Sequence, residues 1–250
     1  MNKLSTLIFD VDGTLAETER DGHRIAFNRA FKAAKLDWEW NVSLYGKLIE
    51  VAGGKERIDF YIREYQPHFQ PPIPLNEFIA QLHQSKTQYY QEVLTQNPIP
   101  LRPGVKRLLK EAKANGIRLA IASTAAYPNV IALLENSLNL DAVSWFEIIA
   151  AGDIVPQKKP APDIYYYVLE KMQISPAECI VFEDSQQGLL AASQAGLKTV
   201  VTVNEYTKNQ DLTGATLVLN HLGEPDLPFT VITGDTHGKT YLDLDLLGKI

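Results

Sequence analysis

"FDVDGTLAETE", residues 9–19, decides how the rest of the chain is read. It grows out of the apolar run "TLIFD" (6–10), whose continuous, β-branched character is that of a strand covered on both faces of a parallel sheet. In an open α/β sheet, ligands bind beyond the carboxyl ends of the strands. Asp10 stands at such an end, Asp12 follows two residues later, and Gly13–Thr14 make the turn. One aspartate in that place is an ordinary turn or helix-capping residue. Two together are not explained by packing, because buried charges need partners.

Working outward, further strand-like runs appear at "IRLAIAS" (117–123), "FEIIAA" (146–151), "CIVFED" (179–184), "KTVVTV" (198–203) and "ATLVLN" (215–220). Segments of helical period lie between them. "PGVKRLLKEAKANG" (103–116) runs from Pro103 to a stop at Gly116, and "DSQQGLLAASQAG" (184–196) from a Ser185 cap to Gly196. The alternation predicts an α/β fold, a Rossmann-like core with a mostly parallel sheet. The first strand breaks the rhythm, because no second strand appears until about residue 117. The stretch between has helical period (Ile25, Ala26, Ala30, Phe31, then Ile58, Tyr61, Ile62) and is punctuated by "QPHFQPPIPL" (66–75) and "QNPIPLRPG" (96–104). The expected organisation is a core of residues 1–16 and 99–250 with a helical cap, 17–98, inserted after the first strand. The last 25 residues carry no functional reading.

Other strand ends add chemistry. "FEDS" (182–185) brings Glu183 and Asp184 to the edge that carries Asp10 and Asp12. Carboxylates converging in this way repel one another without a cation, and hard oxygen donors suit Mg²⁺. "AIASTA" (120–125) offers the hydroxyls of Ser123 and Thr124 to a phosphate oxygen. In "KKPAPD" (158–163), one of Lys158 and Lys159 is placed to neutralise a phosphoryl group, the other to be solvated.

Bulk properties narrow the classes. The 250 residues are 45% hydrophobic and 22% charged, an ordinary globular balance, and the net charge of −6 argues against a nucleic-acid partner. A small anionic substrate is compatible with an acidic protein that holds a local cationic pocket. The single cysteine, Cys179, lies in the apolar run "ECIVF" and reads as a core residue. No apolar stretch approaches the ~20 residues of a membrane span. With no signal or transit pattern at the start, the cytoplasm is the default expectation; a mature organellar protein would read the same. "GGKER" (53–57) looks at first like half of a nucleotide-binding loop. The spacing G-x-x-x-x-G-K-[ST] is absent, and Glu56 stands where a Ser or Thr belongs. The segment reads either as a helix–helix turn with two solvated cations or as an anion site at a helix start.

The ordered set DxDGT, Ser/Thr, Lys and ED resembles the haloacid dehalogenase superfamily of aspartate-nucleophile phosphohydrolases over nearly the whole chain. "DVDGTLAETERDGHRIAFNRAF", "LDWEW" and "AGGKERI" are similar to its CbbY-type sugar-bisphosphate phosphatases. The resemblance implies that Asp10 is the nucleophile and Asp12 the general acid and base. Asp10, the main-chain carbonyl of Asp12 and Asp184 would ligate Mg²⁺, supported by Glu183. Ser123 and Lys159 would bind the transferring phosphoryl group, with Thr124 beside them. Glu17, His23 and Arg24 would line the seam between core and cap, and Lys55 and Arg57 would come from the cap to hold a second phosphate. "RDG" makes the spacing from Asp10 to His23 one residue longer than in many relatives. The implied activity is Mg²⁺-dependent removal of a phosphate from xylulose-1,5-bisphosphate, an inhibitory by-product of Rubisco; separately, a monomer is expected, and the net negative charge gives no reason to expect a macromolecular partner or a membrane. A β-phosphoglucomutase-type mutase and a phosphoglycolate phosphatase would use the same chemistry. A signalling receiver would also combine Asp, Thr, Lys and Mg²⁺, but is about half this length and has no cap. A non-catalytic phosphoryl-binding homologue would not need the whole set of side chains.

Overall fold

The computed structural model describes residues 4–250. Its centre is a seven-stranded sheet in the order β3-β2-β1-β4-β5-β6-β7. The strands are β1 (Thr6–Phe9), β2 (Arg118–Ser123), β3 (Ile148–Ala151), β4 (Cys179–Glu183), β5 (Lys198–Thr202), β6 (Leu217–Leu219) and β7 (Val231–Thr233). All neighbours are parallel except β6 and β7, which pair antiparallel. Every residue of β1 is buried, as a strand covered on both faces requires.

Alternate residues of β1 serve two layers. Leu7 and Phe9 face a cluster with Leu108, Leu109, Leu133 and Leu246, from α5 (Val105–Ala114), α6 (Tyr127–Ser137) and α9 (Leu244–Leu247). Ile8 faces Ile164, Val168, Ala191 and Ala192, from α7 (Asp163–Met172) and α8 (Gln186–Gln194). The result is a helix–sheet–helix sandwich. The six strand-like runs of the sequence all become strands. β7 and α9 lie in the tail that had no reading; Leu246 and Leu247 of α9 are fully buried, and Arg107 holds the tail through Leu242 O at 2.8 Å.

Between β1 and β2 the chain forms α1 (Arg24–Ala33), α2 (Val42–Leu48), α3 (Gly54–Tyr65) and α4 (Leu75–Gln96). These helices have their own core, in which Trp40 packs on Phe27 (4.5 Å between ring centres) and Phe31 (4.8 Å). The two connections to the sheet meet where Ala16 pairs with Leu101, and Arg102 N donates to Leu15 O at 2.8 Å. The incoming connection enters through a turn of π-helix, Glu19–His23, closed by Arg24 N–H donating to Glu19 O. Among the described residues no helix is long and apolar enough to cross a membrane.

Candidate active site

The register of the sheet assembles the acidic edge. Phe9 pairs with Phe182, so Asp10 and Glu183 leave their strands side by side; Asp10 N donates to Phe182 O at 2.9 Å, and the two phenyl rings stack at 4.4 Å. Gly13 has φ +84, and a side chain there would collide with the Asp184 carboxylate, so the turn after β1 needs glycine. Asp10, Glu183 and Asp184 are all buried, and each offers an oxygen within 4.8 Å of the others.

Among the described residues, Lys159 is the one lysine aimed into this group. Its Nζ donates to Asp10 Oδ1 at 2.7 Å, Glu183 Oε1 at 2.6 Å and Ala122 O at 2.8 Å. Tyr165 OH also donates to Glu183 Oε1, so that carboxylate is held from behind. Burial, opposed by Lys159, pushes the Asp10 carboxyl up to about 7. Burial together with Asp10 and Glu183 drives Asp184 well above the carboxylate range, although Asn204 Nδ2 donates to it at 2.7 Å. One ammonium against three buried carboxylates leaves an excess of negative charge, and the donors are all hard oxygens. The group fits Mg²⁺, which combines one or two carboxylates with water and phosphate.

The Asp12 side chain turns away from that group. Thr18 Oγ1 donates to its Oδ1 at 2.5 Å, and His23 Nε2 lies 2.8 Å from the same oxygen. Burial alone would raise this carboxyl; the adjoining His23 and the hydrogen bonds of His23 and Thr18 outweigh it and bring it to about 2. Behind the imidazole, Lys86 Nζ is 2.9 Å from His23 Nδ1, forming a chain Lys86–His23–Asp12. Tyr90 stacks on the imidazole at 4.0 Å. The turn Glu19–His23 is π-helical, and its i→i+5 bonding takes one residue more than an α-helical turn does. His23, at its end, lies beside Asp12.

Two cavities meet above these groups. One, of about 90 Å³, is walled by Asp10, Lys159, Glu183 and Asp184; the other, of about 220 Å³, by Lys55, His83, Lys86 and Lys158. Asp12, Glu19, Arg57 and Thr124 line both. Ser123 is fully buried beneath, its Oγ accepting from Ala125 N at 3.2 Å, and lines neither.

"GGKER" opens α3 at the larger cavity, and its cations are partnered. Lys55 pairs with Asp153 of the core. Arg57, buried, donates to Glu19 at 3.3 Å and to Tyr45 OH at 2.8 Å, and lies over the Tyr45 ring. Lys158 is not a solvated lysine: it reaches across to Glu56 at 2.6 Å and to Asp153 at 3.0 Å. Glu17 and Arg24 line neither cavity. Glu17 pairs with Arg102 at 3.1 Å, and Arg24 lies beside Tyr206, which packs against the cap's core.

Thr18, Glu19, Lys86, Tyr165 and Asn204 belong to the site and were not singled out from the sequence. Lys86 had a signal. It falls on the buried stripe Ile79, Leu82, Lys86, Tyr90, Val93 of α4, where a lysine must have a partner. The others look like ordinary polar residues until the fold brings them together.

Comparison with known proteins agrees with this geometry. The family model of the haloacid dehalogenase-like hydrolases matches residues 4–196. Protein CbbY of Rhodobacter capsulatus is 46% identical over 213 residues, covering 85% of this chain and 91% of that protein. A plasmid-encoded CbbY of Cupriavidus necator is 44% identical over 225 residues, 90% of this chain and 88% of that protein. The crystal structure of a mutant CbbY from Rhodobacter sphaeroides in complex with xylulose-(1,5)bisphosphate superposes with a TM-score of 0.81 at 42% identity, covering 87% of this chain and 94% of that one. With Asp10, the buried lysine and the acidic pair all in place on one sheet edge, the chain belongs to the haloacid dehalogenase-like hydrolases, as a phosphatase of the CbbY type.

Proposed function

We propose that this phosphatase is Mg²⁺-dependent, works through an aspartyl-phosphate on Asp10, and removes one phosphate from a sugar bisphosphate, with xylulose-1,5-bisphosphate as substrate. The observation that carries this reading is the pair of adjoining cavities, one acidic around Asp10 and one walled by cap and core cations, joined over Asp12 and Thr124. Such a site accommodates a ligand with a reacting phosphate at one end and a second anion at the other. The relative whose structure holds xylulose-(1,5)bisphosphate adds support. Residues 17–98 act as the cap, and 1–16 with 99–250 as the core.

In the first half-reaction an Asp10 oxygen bonds to phosphorus and the bond to the sugar oxygen breaks. Asp12 gives that oxygen a proton. The free Asp12 is ionised, and an anionic phosphoryl group beside it raises its proton affinity. His23 Nε2–H is in reach to hand it a proton, and Lys86 to replace that proton on Nδ1. In the second half-reaction Asp12 takes a proton from water, which attacks the phosphorus and releases Asp10. Lys159 stays on Asp10, offsetting charge throughout. Mg²⁺ held by Asp10, Asp184 and the main-chain carbonyl of Asp12 would add electrophilic charge at the phosphoryl oxygens. Thr124, which lines both cavities, completes the phosphoryl pocket, and the enzyme acts as a cytoplasmic monomer on a small phosphosugar.

The test is phosphate release from xylulose-1,5-bisphosphate, ribulose-1,5-bisphosphate, phosphoglycolate and β-glucose-1-phosphate, with Mg²⁺ and with EDTA. Fastest turnover of the first, abolished by EDTA and restored by Mg²⁺, is expected. Preference for phosphoglycolate overturns the bisphosphate reading, and conversion of β-glucose-1-phosphate to glucose-6-phosphate identifies a mutase.

A further inference from the structure

Six buried side-chain polar atoms among the described residues lack a hydrogen-bond partner: Thr14 Oγ1, Arg24 Nε, Trp40 Nε1, Tyr90 OH, Asn129 Oδ1 and Tyr206 OH. Only Asn129 belongs to the wall of either catalytic cavity. A buried polar group left unpaired costs its desolvation, so each one in a folded protein calls for a reason. Asn129 is 2% exposed and sits in the first turn of α6, an eleven-residue helix that starts against the larger cavity. Its main-chain N–H is already used, donating to Ala126 O at 2.8 Å. The cap residue Ala126 has no side chain to receive the amide, and Pro128 has no N–H. The amide is spare.

The rest of the wall sharpens the contrast. Its carboxylates and cations are each engaged in a hydrogen bond or ion pair. The cap adds one more neutral polar group, His83, whose imidazole burial and the neighbouring Lys86, Lys55 and Lys158 push down to about 3. Neutral amide and imidazole groups do not neutralise a phosphate. They exchange hydrogen bonds with hydroxyls, each accepting one or donating one.

We propose that Asn129 is a specificity-determining residue that hydrogen-bonds a hydroxyl of the substrate's carbon chain between its phosphates. The inference rests on the sugar-bisphosphate reading above and deepens it. A site built to pair a substrate hydroxyl rejects analogues that lack one, since its own buried polar group then stays unpaired. Asn129 thereby favours a polyhydroxylated backbone over a short phosphorylated acid at the same catalytic centre.

The test compares kcat/KM for xylulose-1,5-bisphosphate with that for phosphoglycolate, which carries no hydroxyl, in the wild type, Asn129→Leu and Asn129→Ser. Leucine keeps the bulk and removes the amide; serine restores a small hydrogen-bonding group. The ratio of the two specificity constants should fall roughly tenfold in Asn129→Leu, one hydrogen bond's worth, and recover partly in Asn129→Ser. An unchanged ratio in both variants overturns the assignment, whatever happens to the absolute rates, because a packing role lowers both substrates alike. If Asn129→Leu does not fold, judged by its thermal melt, the ratio in Asn129→Ser decides: a fall of a few-fold supports the assignment and an unchanged ratio overturns it. The wild-type measurement alone tests the sugar-bisphosphate reading, so the two ideas fail separately.

Discussion

Lys86 is 4% exposed, on the inner face of a cap helix, with an imidazole as its hydrogen-bonding partner. Burial lowers its ammonium from 10.5 to about 8, with Glu19 and Asp12 resisting the fall. The consequences for activity and for stability have opposite signs. As pH rises through about 8 the folded protein loses the proton that fixes His23 for Asp12, so kcat/KM falls. The unfolded chain keeps that proton up to the ordinary lysine value, so between about 8 and about 10.5 it binds more protons and the group's contribution to stability rises. Lys86→Met should lower kcat/KM by about 10²-fold, the scale of general acid–base assistance, and abolish this alkaline limb. A pH–rate profile and urea titrations on either side of pH 8 check both signs. At this scale Asp10, Asp12, Glu183 and Asp184 stood out in the sequence because their chemistry has no place in a core, whereas the residues alone did not distinguish Lys159 from Lys158. Thr18 and Asn204 did not stand out, since a single hydroxyl or amide carries no pattern until the backbone aims it.

The π-turn is the element that holds His23 beside Asp12. Arg20 and Asp21 lie on its exposed side and pair with each other at 2.7 Å. Deleting Asp21 should convert the π-turn into an α-turn and leave kcat/KM within about threefold, because the surplus residue is what the wider turn accommodates. A loss like that of Lys86→Met would show that the π geometry itself aims His23. Gly22→Ala tests the opposite side. A Cβ there would lie 2.6 Å from the Tyr90 ring and 2.9 Å from Ile99 Cδ1, and should cost about 1–3 kcal/mol in urea unfolding. The strands were legible as apolar runs, and the cap as the long gap after β1. The π-turn was visible only as a spacing anomaly, since one inserted residue does not say whether a helix bulges, shifts or kinks. β7 was missed because it is three exposed residues with no alternation to detect.

Across the whole molecule, the cations of "GGKER" have different duties. Arg57 is buried against the partly exposed Glu19, so Arg57→Ala leaves that carboxylate with only the Tyr45 hydroxyl and should cost about 1–3 kcal/mol of stability. Lys55 is half-exposed, and Lys55→Ala should cost under about 1 kcal/mol while weakening bisphosphate turnover more than that of a monophosphate. Urea unfolding and paired kinetics separate the two. The sequence placed both at the cap's edge but did not show that each already has an acidic partner, because Asp153 and Glu19 come from remote segments.

Lys55 of the cap meets Asp153 of the core, and Lys158 of the core meets Glu56 of the cap, so the seam is laced by charge pairs running in both directions. Pairs this close to solvent are screened within about a nanometre at physiological ionic strength. Dissolved ions should therefore weaken the contact between the two sides of this seam, and ligand exchange is expected to be slower in dilute buffer than in concentrated salt. A phosphatase built this way has its pace set partly by the medium in which it works.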